Sequence, residues 1–366
     1  MREKRPNYWE LRVNIGIDPE TGKRRQASRA VPGTRHDAEA ALAAFVAEVT
    51  AGDAPAVTAT VAELTDRWLG HAEASLSPKT VHEYRRLIDA RIRLTIGARP
   101  LRWVTPIEID DYYAALLRNG LSPASVRHIH AVLSAAFNQA VKWGLLPASP
   151  VARATPPPVS RRDITPPAPD VVARLVAAAT DDDPDFGMFV RLATVTGARR
   201  GELCALRWPD TDLITATLTV ARALIDVGGA VTEKPTKTGT ARRIALDRRT
   251  VDALAAHRAA KEQRAEAIGT RLDRDGFVCS HAADGSKPLR PDQASSRFRH
   301  LTRQLGAPQV RLHDLRYFAA AHLLAAGIPV EAVSGRLGHT NPATTLITYS
   351  KFRPGSGASP ASPRIH

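Results

Sequence analysis

Residues 311–349 read RLHDLRYFAAAHLLAAGIPVEAVSGRLGHTNPATTLITY, and three groups in this stretch decide how the whole chain is read. His313-Asp314-Leu315-Arg316 comes first, where the i, i+3 spacing places His313 and Arg316 on one helix face. Leu337-Gly338-His339 follows, and Tyr349 stands ten residues beyond His339. Taken singly these are bland: a helix start with Asp314 favourably near the helix dipole, a helix cap, and a packing tyrosine. Two groups upstream give them company. Thr196-Gly197-Ala198-Arg199-Arg200-Gly201-Glu202-Leu203 reads as a helix end, a glycine turn and a new helix carrying Arg199. Lys234-Pro235-Thr236-Lys237-Thr238-Gly239 reads as the turn of a β-hairpin.

Around these groups, the chain from about Asp170 onward reads as helices interrupted by strands at 216–225, 230–233 and 242–246, the first pair joined by Asp226-Val227-Gly228-Gly229. Before it, eight of the 23 residues at 147–169 are proline, which predicts an extended connector and a domain boundary. Four helices precede that connector. Thr60 with Glu63 and Thr105 with Glu108 form capping boxes, and Ser77-Pro78 and Ser122-Pro123 supply a cap with a first-turn proline. The stripes Val61, Leu64, Trp68; Val81, Tyr84, Leu87; Ile109, Tyr112, Leu116; and Val126, Ile129, Leu133, Phe137 are predicted core.

The first 50 residues predict a small antiparallel hairpin sheet, with strands at 8–13 and 25–31 around an Asp18-Pro19-Glu20-Thr21-Gly22-Lys23 turn. A helix at 34–49 follows, with Ala41, Leu42, Phe45, Val46 and Val49 on its apolar side. Eight Lys or Arg against four acids in residues 1–29 make this segment locally +4. A basic β-ribbon of this kind can enter a DNA groove; its plainer reading is a solvated face. The tail after Arg353 is rich in Pro, Gly, Ser and Ala and reads as flexible.

Composition agrees with a nucleic-acid partner. The 366 residues carry 51 Lys and Arg against 37 Asp and Glu, a net charge of +14, and the pI is near 10.3. Two cysteines, Cys204 and Cys279, without a CxxC or a zinc-ligand cluster, argue against a disulfide scaffold or zinc finger and fit a reducing cytosol. The start lacks a signal-peptide core, and no apolar run approaches the roughly 18 residues a bilayer span needs, so neither secretion nor membrane insertion is expected.

In chain order, these groups resemble the signature of the tyrosine recombinases of the phage-integrase family: Arg, Lys, His-x-x-Arg, His or Trp, and Tyr. Arg199 matches within a TGxRxxEL segment, Lys237 on a turn, His313 and Arg316 as HxxR, His339 within LGH, and Tyr349 as nucleophile. Two departures are Tyr317-Phe318 where many members have His-Thr, and a His339-to-Tyr349 interval of ten where nine is also common. The resemblance implies a multidomain α+β fold: a small N-terminal three-stranded β domain, an all-α core-binding domain, and a mostly helical catalytic domain with a small antiparallel sheet. The implied boundaries are 1–56 for an arm-type DNA-binding domain with its helix and linker, 57–150 for the core-site module, 151–169 for the linker, 170–354 for the catalytic domain and 355–366 for the tail.

The residue types suit that chemistry. In-line attack on a DNA phosphodiester builds negative charge on the nonbridging oxygens, which Arg199 and Arg316 can clamp through fixed donors. His339 supplies a further hydrogen bond, and His313 acts as acid or base. Tyr349, with a reference pKa of about 10, needs cationic surroundings to attack at neutral pH and would then be joined to a 3′ phosphate. Lys237 is placed to protonate the departing 5′ oxygen. Glu202, Asp314 and Arg207 are read as supporting, and Arg200 as facing solvent or phosphate. No cofactor is expected, and no acidic metal cluster is evident in the sequence. The candidate DNA contacts are Arg12, Lys23, Arg24 and Arg25 on the ribbon, and Lys79, Arg85, Arg86 and Arg127 on the helices. The implied partners are double-stranded DNA at core and arm-type sites, three further copies of the chain in a tetramer on paired sites, and a DNA-bending accessory or directionality protein, in the cytoplasm on the nucleoid and away from membranes. A type IB topoisomerase-like enzyme and a catalytically silent DNA-binding accessory protein are the alternatives.

Overall fold

The computed structural model describes residues 1–6, 8–17, 24–52, 59–160, 165–236, 239 and 241–338. The chain is multidomain α+β and divides into two compact units, Met1–Ser160 and Arg161–His366.

The first unit opens with strands β1 (Arg2–Arg5), β2 (Tyr8–Ile17) and β3 (Arg24–Pro32), an antiparallel sheet in the order β1-β2-β3 with Leu11 opposite Arg29. The predicted turn at 18–23 lies outside the described residues. Helix α1 (Arg35–Gly52) starts where Asp37 Oδ2 accepts from both the amide and the hydroxyl of Thr34. Its buried side chains, Ala38 and Phe45, close on Leu11, while Val46, expected on the apolar side, is exposed.

Four helices follow: α2 (Val61–Ala72), α3 (Pro78–Leu87), α4 (Pro106–Arg118) and α5 (Pro123–Lys142). Both expected capping boxes form, and Ser77 and Ser122 cap α3 and α5 ahead of their prolines. The stripes on α2, α4 and α5 are buried together. On α3, Val81, Tyr84 and Leu87 are only half-buried. The helix continues into a wider turn, Ile88–Ile92, where the Arg93 amide reaches back to the Ile88 carbonyl at 2.8 Å, and Ile88 and Ile92 supply the deep contacts instead. At the start of the extended connector expected over 151–169, Val151 is buried in this core and the Thr155 amide donates to Asp110 Oδ1 at 2.7 Å. Residues 161–164 lie outside the described residues.

The second unit begins with α6 (Pro169–Asp182), α7 (Pro184–Thr196) and the short α8 (Arg200–Cys204). Phe186, Phe189, Val190, Leu192 and Ala193 are all buried, so α7 is enclosed on nearly every side and forms the centre of the core. Strands β4 (Thr211–Asp212), β5 (Thr217–Val220), β6 (Arg222–Val227), β7 (Ala230–Pro235) and β8 (Arg242–Ala245) follow. One strand was expected over 216–225. It is two, divided at Ala221, with β5 between β4 and β8 and β6 paired to β7. The turn expected at Asp226-Val227-Gly228-Gly229 joins β6 to β7, with Gly228 and Gly229 at positive φ, and Lys237 with its expected turn lies outside the described residues. Pro235 lies opposite Arg222 at the end of β7, and Arg242 opposite Val220 at the start of β8.

Helices α9 (Arg248–Ala267), α10 (Pro291–Gln304), α11 (Asp314–Ala325) and α12 (Val330–Leu337) complete the described part, and the expected tail from 354 lies outside it. Away from the sheets, Asp185 on α7 anchors a buried ionic hub. Its Oδ1 accepts from Lys261 Nζ at 2.8 Å and the Ser280 amide at 3.2 Å, and its Oδ2 from Arg264 at 3.0 Å. Cys204 and Cys279 are free and buried, and burial pushes the Cys204 thiol up to about 12.

Candidate active site

Three of the six expected site residues, Arg199, His313 and Arg316, are described, all in the second unit; Lys237, His339 and Tyr349 lie outside the described residues. Arg199 stands at the turn between α7 and α8. Gly197 makes that turn with φ of +62°, and a Cβ there would lie 2.7 Å from Leu337 Cδ2, so glycine is required for both conformation and space. The turn brings α7, α11 and α12 into contact.

Arg316 is 3% exposed and sits in the first turn of α11. Its Nη1 donates to the Gly197 carbonyl and its Nη2 to the Leu337 carbonyl, each at 2.7 Å. Arg199 Nη2 donates to the next carbonyl, that of Gly338, at 3.1 Å, while its Nη1 donates to Glu202 Oε1 at 2.9 Å. Both guanidinium groups are therefore fixed on the last backbone groups before His339. They sit at the C-terminal end of α12, where the helix dipole favours positive charge. A guanidinium offers five N–H donors, so Arg199 keeps donors for a further acceptor. Its side chain is 30% exposed, which leaves that acceptor a path from solvent.

Glu202, read from sequence as supporting, is the pivot of this arrangement. Its side chain is 1% exposed and binds Arg242 through both oxygens, at 3.2 and 2.6 Å. Burial pushes its carboxyl up, but hydrogen bonds and charge from Arg242 and Arg199 outweigh that and hold it below the usual carboxylate range. Arg242 was not among the expected residues. Its only sequence signal is an arginine pair at 242 and 243 on an expected strand, which reads equally as a solvated edge.

His313 stands at the N-cap position of α11 without a side-chain cap bond, edge-on to Tyr317 with ring centroids 5.1 Å apart. Packing around the ring, then the positive charge of Arg316, Arg311 and Arg199, lowers its pKa despite the opposing effect of Asp314. Asp314 is held by Arg311, whose amide and Nη2 both donate to it at 2.9 Å. Arg207 is structural as expected, lying over the Phe277 ring at 4.4 Å. Arg200, expected to face solvent or phosphate, is half-buried, and its Nη1 donates to Ser295 Oγ on α10 at 2.5 Å. Among the described residues, no three His, Cys, Asp or Glu side chains gather as a metal ion would need, and no helix is long and apolar enough to cross a membrane.

The Phage integrase family model matches residues 168–354, and the model of the phage integrase N-terminal SAM-like domain matches residues 60–117. The chain belongs to the phage integrase family. It is 26% identical over 350 residues to the ICEBs1 integrase of Bacillus subtilis, covering 94% of each chain. Its fold is that of the lambda integrase solved as a tetramer bound to a Holliday junction, with a TM-score of 0.61, 22% identity and full coverage of both chains. The Tn1549 transposon integrase, solved with transposon right end DNA, gives a TM-score of 0.69 at 18% identity, covering 79% of this chain and 94% of that one. As a member of this family the chain is a site-specific tyrosine recombinase, an enzyme that breaks and rejoins DNA strands through a phosphotyrosine.

Proposed function

We propose that this tyrosine recombinase performs strand exchange with Arg199, Lys237, His313, Arg316, His339 and Tyr349, integrating or excising a mobile element. The observation that carries the assignment is the anchoring of Arg199 and Arg316 on adjacent carbonyls, Gly338 and Leu337, immediately before His339. The phenol oxygen of Tyr349 attacks phosphorus, and its proton passes to His313, which its lowered pKa keeps neutral at pH 7. The bond to the 5′ oxygen breaks, Lys237 protonates that oxygen, and the two arginines with His339 hold the nonbridging oxygens. A 5′ hydroxyl from the partner duplex then attacks the 3′-phosphotyrosine and regenerates the phenol.

The amino-terminal sheet (1–56) serves a distal arm-type site through Arg12, Lys23, Arg24 and Arg25, and the helical module (57–150) the core site through Lys79, Arg85, Arg86 and Arg127. Residues 151–169 link that module to the catalytic domain at 170–354, with 355–366 as tail. Lys23 and the side chains of Arg24 and Arg25 lie outside the described residues. Arg12, Lys79 and Arg85 are paired with Glu10, Glu83 and Glu73, and Arg127 donates to the Pro157 carbonyl. Exposed pairs of this kind hold by about 0–1 kcal/mol, so phosphates can replace the glutamates. The working assembly is a homotetramer on paired sites, as in the lambda integrase complex, on the nucleoid in the cytoplasm, with a DNA-bending or directionality protein as accessory.

A nicked suicide substrate tests the assignment. The native enzyme forms a covalent protein–DNA adduct, and Tyr349→Phe binds the same DNA without forming one. An adduct from Tyr349→Phe would make another residue, Tyr317 first, the nucleophile.

A further inference from the structure

Three consecutive carbonyls end α12, and three different arginines hold them. Arg242 Nε donates to Arg336 O at 2.8 Å, Arg316 Nη2 to Leu337 O at 2.7 Å and Arg199 Nη2 to Gly338 O at 3.1 Å. Arg199 and Arg316 are the proposed phosphate clamp. Arg242 has a different position. Its side chain is 10% exposed, and all three of its guanidinium nitrogens are committed to protein acceptors: Nε to Arg336 O, and Nη1 and Nη2 to Glu202. A Cβ on Gly338 would lie 3.0 Å from its Nη1, so the guanidinium sits directly against the turn that leads to His339.

We infer that Arg242 is a positioning residue for the recombination chemistry, joining the Glu202–Arg199 arm of the phosphate clamp to the C-terminal end of α12. The inference rests on the assignment of Arg199 and Arg316 to the phosphate. Glu202 alone restrains Arg199 from one side, through Oε1 at 2.9 Å and the Arg199 amide at 2.8 Å from Oε2. Arg242 fixes Glu202 in turn and ties it to the same helix end that holds Arg316. It therefore sets the spacing between the two clamp arginines. It also begins β8, so the same side chain holds the start of that strand against the clamp.

No flexible cation replaces it. A lysine at 242 offers one ammonium centre, unable to span two glutamate oxygens and the Arg336 carbonyl together. Removing the tie leaves Glu202 buried with Arg199 as its one cationic partner among the described residues, which draws Arg199 inward and away from solvent. A displacement of about 1 Å in such a site lowers rates on the order of 100-fold without touching the reacting atoms.

The experiment compares Arg242→Gln and Arg242→Lys in the full-length protein on two core-site suicide substrates, one with the normal scissile phosphodiester and one with a methylphosphonate. The methyl group removes a nonbridging oxygen and its charge, so a misplaced clamp matters less. Single-turnover cleavage at saturating enzyme should fall about 100-fold for Arg242→Gln on the phosphodiester and less than 10-fold on the methylphosphonate, with site affinity within twofold of native. Arg242→Lys should show the same pattern at smaller amplitude. Equal deficits on both linkages, no deficit, or loss of DNA binding and cooperative unfolding in both variants would overturn the inference and make Arg242 a fold residue. Arg199→Ala on the same substrates separates the two claims: if it gains nothing from the methylphosphonate, the clamp assignment itself fails.

Discussion

Arg316 Nη2 donates to the Leu337 carbonyl at 2.7 Å, and through this bond a residue in the first turn of one helix closes the last turn of another. Nη1 of the same group holds the Gly197 carbonyl, so the ends of α7 and α12 are both fastened to the start of α11. On the proposed assignment such a side chain is structural and chemical at once. Arg316→Ala leaves two carbonyls short of partners in a buried setting, each costing about 1–3 kcal/mol. The expected result is a loss of roughly 2–6 kcal/mol in denaturant unfolding together with loss of cleavage. Arg316→Lys should recover part of the stability but little cleavage, because an ammonium cannot reproduce the planar pair of donors. A lysine variant with native cleavage would disprove the clamp.

Much of this architecture is visible in the chain because its signals are local. Thr60 with Glu63 and Thr105 with Glu108 announce helix starts through bonds that close within three residues, and the structure forms both. Arg199, His313 and Arg316 are recognisable because each sits in a short motif. Arg242 is not, because its meaning lies in contacts 40 residues away at Glu202 and 94 away at Arg336. The split of one expected strand at Ala221 was hidden for a related reason: residues 216–225 contain no Gly or Pro to break the run, and only the partners, β8 and β7, distinguish the halves. Arg200 reads from sequence as facing solvent or phosphate, and its bond to Ser295 again depends on a distant helix.

Gly197 offers a purely steric test of the same junction. Its φ of +62° costs a side chain about 1–2 kcal/mol, and a Cβ would stand 2.7 Å from Leu337 Cδ2 and 3.2 Å from Ala319 Cβ. Crowding adds about 1–3 kcal/mol. Gly197→Ala should therefore lose roughly 2–5 kcal/mol by thermal or urea unfolding and impair cleavage by shifting the end of α12. Native stability in this variant would show that Leu337 yields freely.

The Asp185 hub stabilises the second unit away from the chemistry. Burial pushes its carboxyl up, but hydrogen bonds and charge from His257 and Lys261 prevail and hold it far below the usual range. A folded-state pKa below the unfolded value means that this stability is present above about pH 4 and is lost as pH falls further. Lys261→Met should cost about 3–5 kcal/mol at pH 7 by leaving the buried carboxylate under-compensated, and the double variant with Asp185→Asn should recover much of it. Equal stability of Lys261→Met and native protein at pH 7 would refute the hub.

His313 gives the pH dependence of the reaction its expected direction. Packing around the ring and the neighbouring arginines, Arg316 foremost, place its pKa below the ordinary histidine value near 6.5. As a proton acceptor it works in the neutral form, so cleavage should hold through pH 6.5 and decline only as pH falls through the lowered value. Single-turnover rates across pH 5 to 8 check this. In His313→Gln that acid limb should disappear from a much slower reaction, and a limb that persists unchanged would assign it to another group.

The last test separates protonation of the leaving group from stabilisation of charge, two tasks that one cation can perform. Arg199 and Arg316 are held by backbone carbonyls and Glu202, which suits a rigid clamp. Lys237 belongs to the connection between β7 and β8, and a lysine there has the reach of a long unbranched side chain to a 5′ oxygen. Replacing the bridging 5′ oxygen with sulfur creates a leaving group that needs little proton assistance. Lys237→Ala should cleave normal DNA on the order of 100–10,000-fold more slowly and recover most of that loss on the sulfur-bridged substrate, whereas Arg316→Ala stays defective on both. If Lys237→Ala gains nothing from sulfur, the lysine is not the proton donor, and its contribution lies in holding phosphate or in the path of the chain from Pro235 to Arg242.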